Sequence, residues 1–455
     1  MYFWFLLILW ADLTSIFQVA DSAYFPDLQE TKIRFFIAFL LAFHTVGDTF
    51  FYIYLYTSRM KVLVVNSGSS SLKYQVFNME DQSILGKGLV ERIGISGGII
   101  THRTANGEKV VFNEEIIDHE VALHRVLDIL TNPEYGAIQS LDEIGAVGHR
   151  VVHGGEYFPK SVLVTEEVKE KLKELISLAP LHNPANIMGI EACEKMLPGV
   201  PMVVVCDTAF HQTMKPDHFL YPLPYEWYEQ YKIRRYGFHG TSHKYVYQRA
   251  IELLGKPDAK VITCHVGNGA SITAIQNGEV IETSMGFTPL DGLMMGTRCG
   301  AIDPAIIPFI MKKEGLSAEE IDTIMNKKSG VLGVSQIGSD LRDIEAGYFE
   351  GRERETLVLE MYTNAILKTI GGYAALLWGV DVIVFTAGVL ENSALQRKLI
   401  AERLNWMWVD FDESVNNFRG EEREITTPAS KVKVIVIPTD EELMIAKDTY
   451  ELAKA

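Results

Sequence analysis

Cysteine is scarce in this sequence, and positive charge is outnumbered. The four cysteines, Cys193, Cys206, Cys264 and Cys299, stand far apart and form no Cys-x-x-Cys pair. That excludes a disulfide framework and a thiolate zinc site of ordinary spacing. Unpaired thiols fit a reducing compartment, so a cytoplasmic location is expected. Lys and Arg number 42 against 59 Asp and Glu, for a formal net charge of −17. Nucleic acid and anionic membrane surfaces are held by clustered cations, so neither is expected as a partner. An anionic substrate must instead be gathered by single Arg or Lys residues in Gly-rich loops. His239 and His243 stand four apart, but the Glu of a His-Glu-x-x-His zinc motif is missing.

The first 59 residues differ from the rest. Phe3 to Trp10 and Phe35 to Tyr56 are apolar runs, and the second is long enough to cross a bilayer. Asp48 near its middle is costly in a lone span, and no small-residue cleavage site marks a leader. A membrane anchor, an unusual leader and upstream sequence translated from an early start codon compete here. The last is favoured, so residues 1–59 are expected to lie outside the fold.

At Met60 the chain begins again with an apolar strand that runs into Asn66-Ser-Gly-Ser-Ser-Ser-Leu-Lys73. Backbone N–H groups, the hydroxyls of Ser69 and Ser71 and the Lys73 cation suit a nucleotide phosphate; an ordinary Ser-rich hairpin is the competing reading. Strands are predicted at Lys61 to Val65, Tyr74 to Asn78, Ile84 to Val90, Ala146 to Val152, Met202 to Val205, Val382 to Thr386 and Val432 to Ile437. Helices are predicted after the caps Asp118 and Thr165. The alternation indicates an α/β architecture. The strand-loop-strand unit at Val62 returns at Val261, where His265-Val-Gly-Asn-Gly269 occupies the turn. One unit used twice predicts two similar domains facing each other across a cleft, although two hairpins can also coincide by chance.

Further motifs are Gly148-His-Arg-Val-Val-His-Gly-Gly155, Pro180-Leu-His-Asn-Pro184, Phe238-His-Gly-Thr-Ser-His243, Gly296-Thr-Arg298 and Pro438-Thr-Asp-Glu-Glu442. With the two loops they make seven ordered motifs. On these residues the chain from Met60 onward resembles the acetate kinase family, within the acetate and sugar kinase, Hsp70 and actin superfamily. The resemblance implies an α/β, duplicated two-domain actin-like ATPase (ribonuclease H-like) fold. It places domain I at 60–207 plus 438–455 and domain II at 208–437, with the active site in the cleft between them. It also implies reversible phosphoryl transfer between ATP and acetate, giving acetyl phosphate and ADP, with Mg2+ or Mn2+ as cofactor and a homodimer as the assembly.

Phosphorylating a carboxylate brings like charges together, so cations and hydrogen-bond donors are needed. Arg150 and Arg298 are candidates by their Gly-rich settings, since a guanidinium can grip oxygens bidentately; a salt bridge is the plain alternative for each. The resemblance assigns Arg150 to substrate, Arg298 to the transition state and His239 to the phosphoryl group, leaving His243 structural. Asp207, after a buried strand, is read as positioning substrate and metal water. Glu441 is read as the metal ligand, helped by Asn66. Val152, Leu181, Phe238 and Pro289 are nominated for the methyl pocket, with core packing as the alternative. Nucleotide contacts are assigned to His265, Val266, Gly267, Asn268, Gly269, Asp340, Leu341, Arg342, Gly388, Val389, Leu390, Glu391 and Asn392, besides the first loop. Two positions depart from the family pattern: Ala301 stands where an acid is usual and Leu390 where a glycine is usual. A propionate or butyrate kinase is the nearest alternative. An actin-like or Hsp70-like ATP-dependent binding protein is the alternative of another class.

Overall fold

The computed structural model describes residues 60–180 and 182–454. The expectations placed on residues 1–59 and on Leu181 lie outside the described residues.

Strands β1 (Lys61–Ser67), β2 (Ser71–Asn78), β3 (Ser83–Glu91), β4 (Ile99–Thr104), β5 (Lys109–Asn113), β6 (Ile144–Val151), β7 (Val162–Leu163) and β8 (Met202–Cys206) form one sheet in the order β5-β4-β3-β2-β1-β6-β8-β7. Strands β9 (Val261–Val266), β10 (Ala270–Gln276), β11 (Glu279–Thr283), β12 (Val382–Thr386), β13 (Arg423–Glu424) and β14 (Lys433–Val436) form a second, ordered β11-β10-β9-β12-β14-β13. Each sheet opens with an antiparallel meander, β1 to β5 in the first and β9 to β11 in the second, whose first strand then pairs in parallel with a later one, β1 with β6 and β9 with β12. The duplicated loops of the sequence are therefore duplicated topology.

The alternation of side chains along β1 explains why it is apolar throughout. Leu63 and Val65 enter a core with Leu123 and Val126 of the helix His119–Leu130 and with Cys193 of the helix Asn183–Met196. Val62 and Val64 enter another with Ile445 and Ala446 of the C-terminal helix Glu441–Ala453. A strand covered on both faces has no polar register left to show. The second sheet repeats this. Ile262 and Cys264 pack toward the long helix Glu353–Leu376, and Val261 toward the helix Gly240–Leu254.

After β14 the chain leaves the second sheet, and its last helix lies on the first. Gly148 in β6 makes the approach possible: a Cβ there would sit 2.4 Å from Thr449 Oγ1 and 2.7 Å from Ile445 Cγ2. Asp440 caps that helix, accepting a hydrogen bond from the Leu443 N–H, which puts Glu441 in its first turn. The caps expected at Asp118 and Thr165 are formed, by bonds from the Val121 and Val168 N–H groups. The helix after Thr165 stops at Glu174, and the chain continues only as a tight turn over Leu175–Ser177. Strands β4 and β5 were not foreseen. Among the described residues no helix is long and apolar enough to cross a membrane.

Candidate active site

Parallel strands β6 and β8 deliver the first pair of functional groups. Arg150, near the end of β6, lies beside Val205 of β8, and Asp207 follows β8 directly. Arg150 donates from Nε to Asp207 Oδ1 at 2.9 Å and from Nη2 to Oδ2 at 2.5 Å, a bidentate fork. Its Nη1 reaches Asn66 Oδ1 at 3.4 Å. Burial opposes the charge on Arg150, but Asp207, with Glu441 and Glu442, overcomes that and raises its pKa. Burial also pushes the Glu441 carboxyl up, to about 7, with Arg150 opposing and Asp207 and Glu442 adding. Asn66, Arg150, Asp207 and Glu441 thus share one electrostatic neighbourhood although 375 positions separate the first from the last.

The second group comes from the other sheet. Arg298 donates from Nη1 to the Pro289 carbonyl at 3.1 Å and has no carboxylate within 4.0 Å among the described residues. Burial lowers its pKa. A guanidinium in that position is short of an anion. His239 sits at the entrance to the helix Gly240–Leu254 with φ +57°, a left-handed backbone that a non-glycine residue adopts at a cost of roughly 1–2 kcal/mol. Gly240 secures that turn: its N–H donates to the Asp207 carbonyl at 2.9 Å, and a Cβ there would lie 2.3 Å from the same oxygen. The His239 ring stacks on His265, centroids 4.0 Å apart. Gly269 reports where these groups converge. A Cβ on it would lie 3.5 Å from Arg298 Nη1 and 3.6 Å from His239 Nε2.

Beside this point a cavity of about 550 Å3 opens in the second half. Its lining includes Gly267, Asn268, Asp340, Leu341, Arg342, Gly388, Val389 and Asn392, which are expected nucleotide contacts. Asp340 caps the helix Leu341–Phe349 and is gripped by the Arg342 guanidinium, which holds its carboxyl down to about 2. Gly388 has open space where a Cβ would stand.

A profile of the acetokinase family matches residues 61–447. The chain belongs to the acetokinase family. It is 58% identical over 395 residues to an acetate kinase of Desulfitobacterium hafniense, covering 86% of this chain and 99% of that protein. Among solved structures, an acetate kinase from Porphyromonas gingivalis matches with a TM-score of 0.84 at 50% identity, over 86% of this chain and 99% of that one. A propionate kinase from Francisella tularensis matches with a TM-score of 0.81 at 41% identity, over 86% and 100%. The acetate kinase resemblance, its α/β fold and its kinase class are borne out.

Within this acetokinase several expected contacts sit differently from their neighbours. Leu390 is fully buried in the core under the second sheet and, like Glu391, does not line the cavity. The Glu391 carboxylate instead accepts from the N–H groups of Ala387 at 2.6 Å and Thr439 at 3.0 Å, tying the β12 loop to the segment that carries Glu441. Arg397, wholly buried, donates to the Leu390 and Glu391 carbonyls and fixes the loop from behind. Val266 is also a core side chain and does not line the cavity. Ser69, Ser71 and Lys73 do not line it; Lys73 and Asn66 line a separate opening with Lys87, Arg103 and Glu442. Val152 and Phe238 share one apolar cluster, while Pro289 acts through its carbonyl on Arg298. Ala301 is exposed.

Ser339, Glu345, Tyr362, Ser393 and Arg419 line the cavity without having been expected there. Tyr362 Oη is buried and has no hydrogen-bond partner among the described residues. His182 was quoted in a motif but given no role; burial lowers its pKa, and Arg150 and Arg298 lower it further. No local pattern marks these residues, since they come from separate helices and loops.

Proposed function

We propose that residues 60–455 transfer a phosphoryl group reversibly between ATP and acetate by direct in-line displacement, giving acetyl phosphate and ADP. The observation that carries this reading is the convergence of Arg298 Nη1 and His239 Nε2 beside Gly269, next to the cavity lined by the expected nucleotide contacts. A transferring phosphoryl group between the two would gain a cation and a hydrogen-bond donor in a water-poor setting. Arg150, oriented by Asp207, holds the acetate carboxylate, and Val152 and Phe238 border its methyl group. The Asp207 carboxylate orients rather than deprotonates, because acetate is already ionised at neutral pH.

Asn66 and Glu441 fit a divalent cation. Glu441 is a half-buried carboxyl whose pKa is raised by its loss of solvent, with Arg150 opposing the shift. Mg2+ keeps most of its waters, so one carboxylate and one amide oxygen are enough protein ligands. When bound, Mg2+, or Mn2+ in its place, neutralises phosphate charge. Domain I (60–207 and 438–455) and domain II (208–437) close on the substrates and exclude water, the competing nucleophile.

The likeness to a propionate kinase keeps a longer acid as the second reading. One methylene is worth only about 1–3 kcal/mol of discrimination. Comparing kcat/KM for acetate, propionate and butyrate tests the assignment: the highest value is expected for acetate, and a higher one for propionate would replace it. An actin-like or Hsp70-like binding protein would have no use for Arg150, Arg298 and His239 at one site.

The assembly is a homodimer joined through the long helix of the second half. Leu357, Met361 and Leu376 are exposed on Glu353–Leu376, and Trp378 beyond its end is 90% exposed. Pairing two copies through this helix would cover these side chains. Light scattering should give twice the chain mass, and a monomer at micromolar concentration would refute the pairing. The unpaired cysteines support a cytoplasmic location.

A further inference from the structure

Behind His239, away from the cleft, stand Ser271 of β10, Thr263 of β9 and His243, all fully buried. Ser271 Oγ lies 2.8 Å from His239 Nδ1 and 2.8 Å from His243 Nε2. The other nitrogen of His243, Nδ1, lies 2.7 Å from Thr263 Oγ1. Burial lowers the pKa of both rings, with the surrounding histidines adding to it, so each ring is neutral and carries one N–H. A serine hydroxyl has a single proton. Set between two ring nitrogens, Ser271 donates to one and accepts from the other.

Two proton orders satisfy that condition. In the first, Thr263 donates to His243 Nδ1, His243 Nε2–H donates to Ser271, and Ser271 donates to His239 Nδ1. His239 then carries its own proton on Nε2. In the second, every arrow reverses: Thr263 must turn its proton to the Thr273 carbonyl, 3.4 Å away, and His239 Nε2 is left as a bare lone pair. The first order makes all its bonds at 2.7–2.8 Å, while the second ends on a long one. A lone pair pointing toward Gly269 and Arg298 would also repel any oxyanion bound there.

We infer that the chain Thr263–His243–Ser271 holds His239 in its Nε2–H tautomer, so that His239 donates a hydrogen bond to the transferring phosphoryl group. His243 and Ser271 are positioning residues, for neither touches substrate. The inference rests on the phosphoryl contact proposed for His239. Its own content, which ring nitrogen holds the proton, is measurable without turnover.

Two-bond 1H–15N spectra of the full chain labelled in histidine read this directly, with His239 identified by the signals lost in His239→Gln. The expected result is a protonated Nε2 and an unprotonated, hydrogen-bonded Nδ1. In Ser271→Ala the His239 signals should move toward a mixture of tautomers. Its kcat should fall on the order of tenfold to a hundredfold, with KM for ATP within about twofold of the parent. A proton on Nδ1 of His239 in the parent protein would overturn the inference, and so would a folded Ser271→Ala with unchanged tautomer and kcat. Should Ser271→Ala fail to fold, the parent spectrum decides alone. Full turnover in His239→Gln would remove the phosphoryl contact itself, whatever the tautomer.

Discussion

Arg298→Ala is expected to lower kcat by roughly a thousandfold or more while ATP affinity stays within a few-fold. Arg298 and Arg150 have the same charge but stand differently. Arg150 is already forked onto Asp207, so much of its field is spent within the protein. Arg298 has a backbone carbonyl and a thioether as its neighbours and no carboxylate within 4.0 Å among the described residues. Its guanidinium is partly desolvated without compensation, and on the proposed mechanism the compensation comes when phosphoryl charge spreads in the transition state. An interaction made mainly there appears in kcat rather than in ground-state binding. Steady-state kinetics alongside nucleotide titration check it. Unchanged turnover would take Arg298 out of the mechanism, and lost ATP binding with unchanged kcat would make it a nucleotide ligand.

Gly269→Ala is expected to cost on the order of a hundredfold in kcat without unfolding the protein. The added methyl would meet its nearest neighbours, Arg298 Nη1 and His239 Nε2, at 3.5 and 3.6 Å, ordinary contact distances. The folded protein can therefore carry it. The space it fills is the space between two groups that must both reach one phosphoryl group, and displacing either by about 1 Å is enough to lose that much rate. Thermal unfolding within a few degrees of the parent, together with the drop in kcat, is the expected pair of results. A fully active variant would mean the phosphoryl group does not pass between Arg298 and His239.

Much of this arrangement is legible in the sequence because it is carried by short loops that follow apolar strands. The repeat of Val62 to Phe77 at Val261 to Ile275 corresponds to two antiparallel meanders, each joined in parallel to a later strand, and Asp207 and Glu441 stand at the ends of elements the sequence marks clearly. Strands β4 and β5 were illegible for a physical reason: one face of β5 is open to solvent, and Arg103, Glu108 and Lys109 break any apolar signal. The cavity proposed for the nucleotide was legible only in part. Gly267, Asn268 and Gly388 belong to loops with recognisable spacing, whereas Glu345 and Tyr362 face it from helices whose apolar periodicity speaks only of packing. Leu390 and Glu391 belong to the right loop, but one turn of helix, Ala387–Asn392, carries them away from the cavity. His243 was read as structural because a lone histidine more often satisfies nearby polar groups than acts on a ligand. Its bond to Ser271, 28 positions away, exists only in the folded chain.

The proposed reaction is direct phosphorylation of a small carboxylate by this chain. Incubating the purified protein with ATP, Mg2+, acetate and hydroxylamine tests it most directly, because an acyl phosphate is captured as the hydroxamate. Acetohydroxamate formed in step with ADP, and absent without acetate, is the predicted result; ADP release without hydroxamate, or no reaction at all, would contradict it.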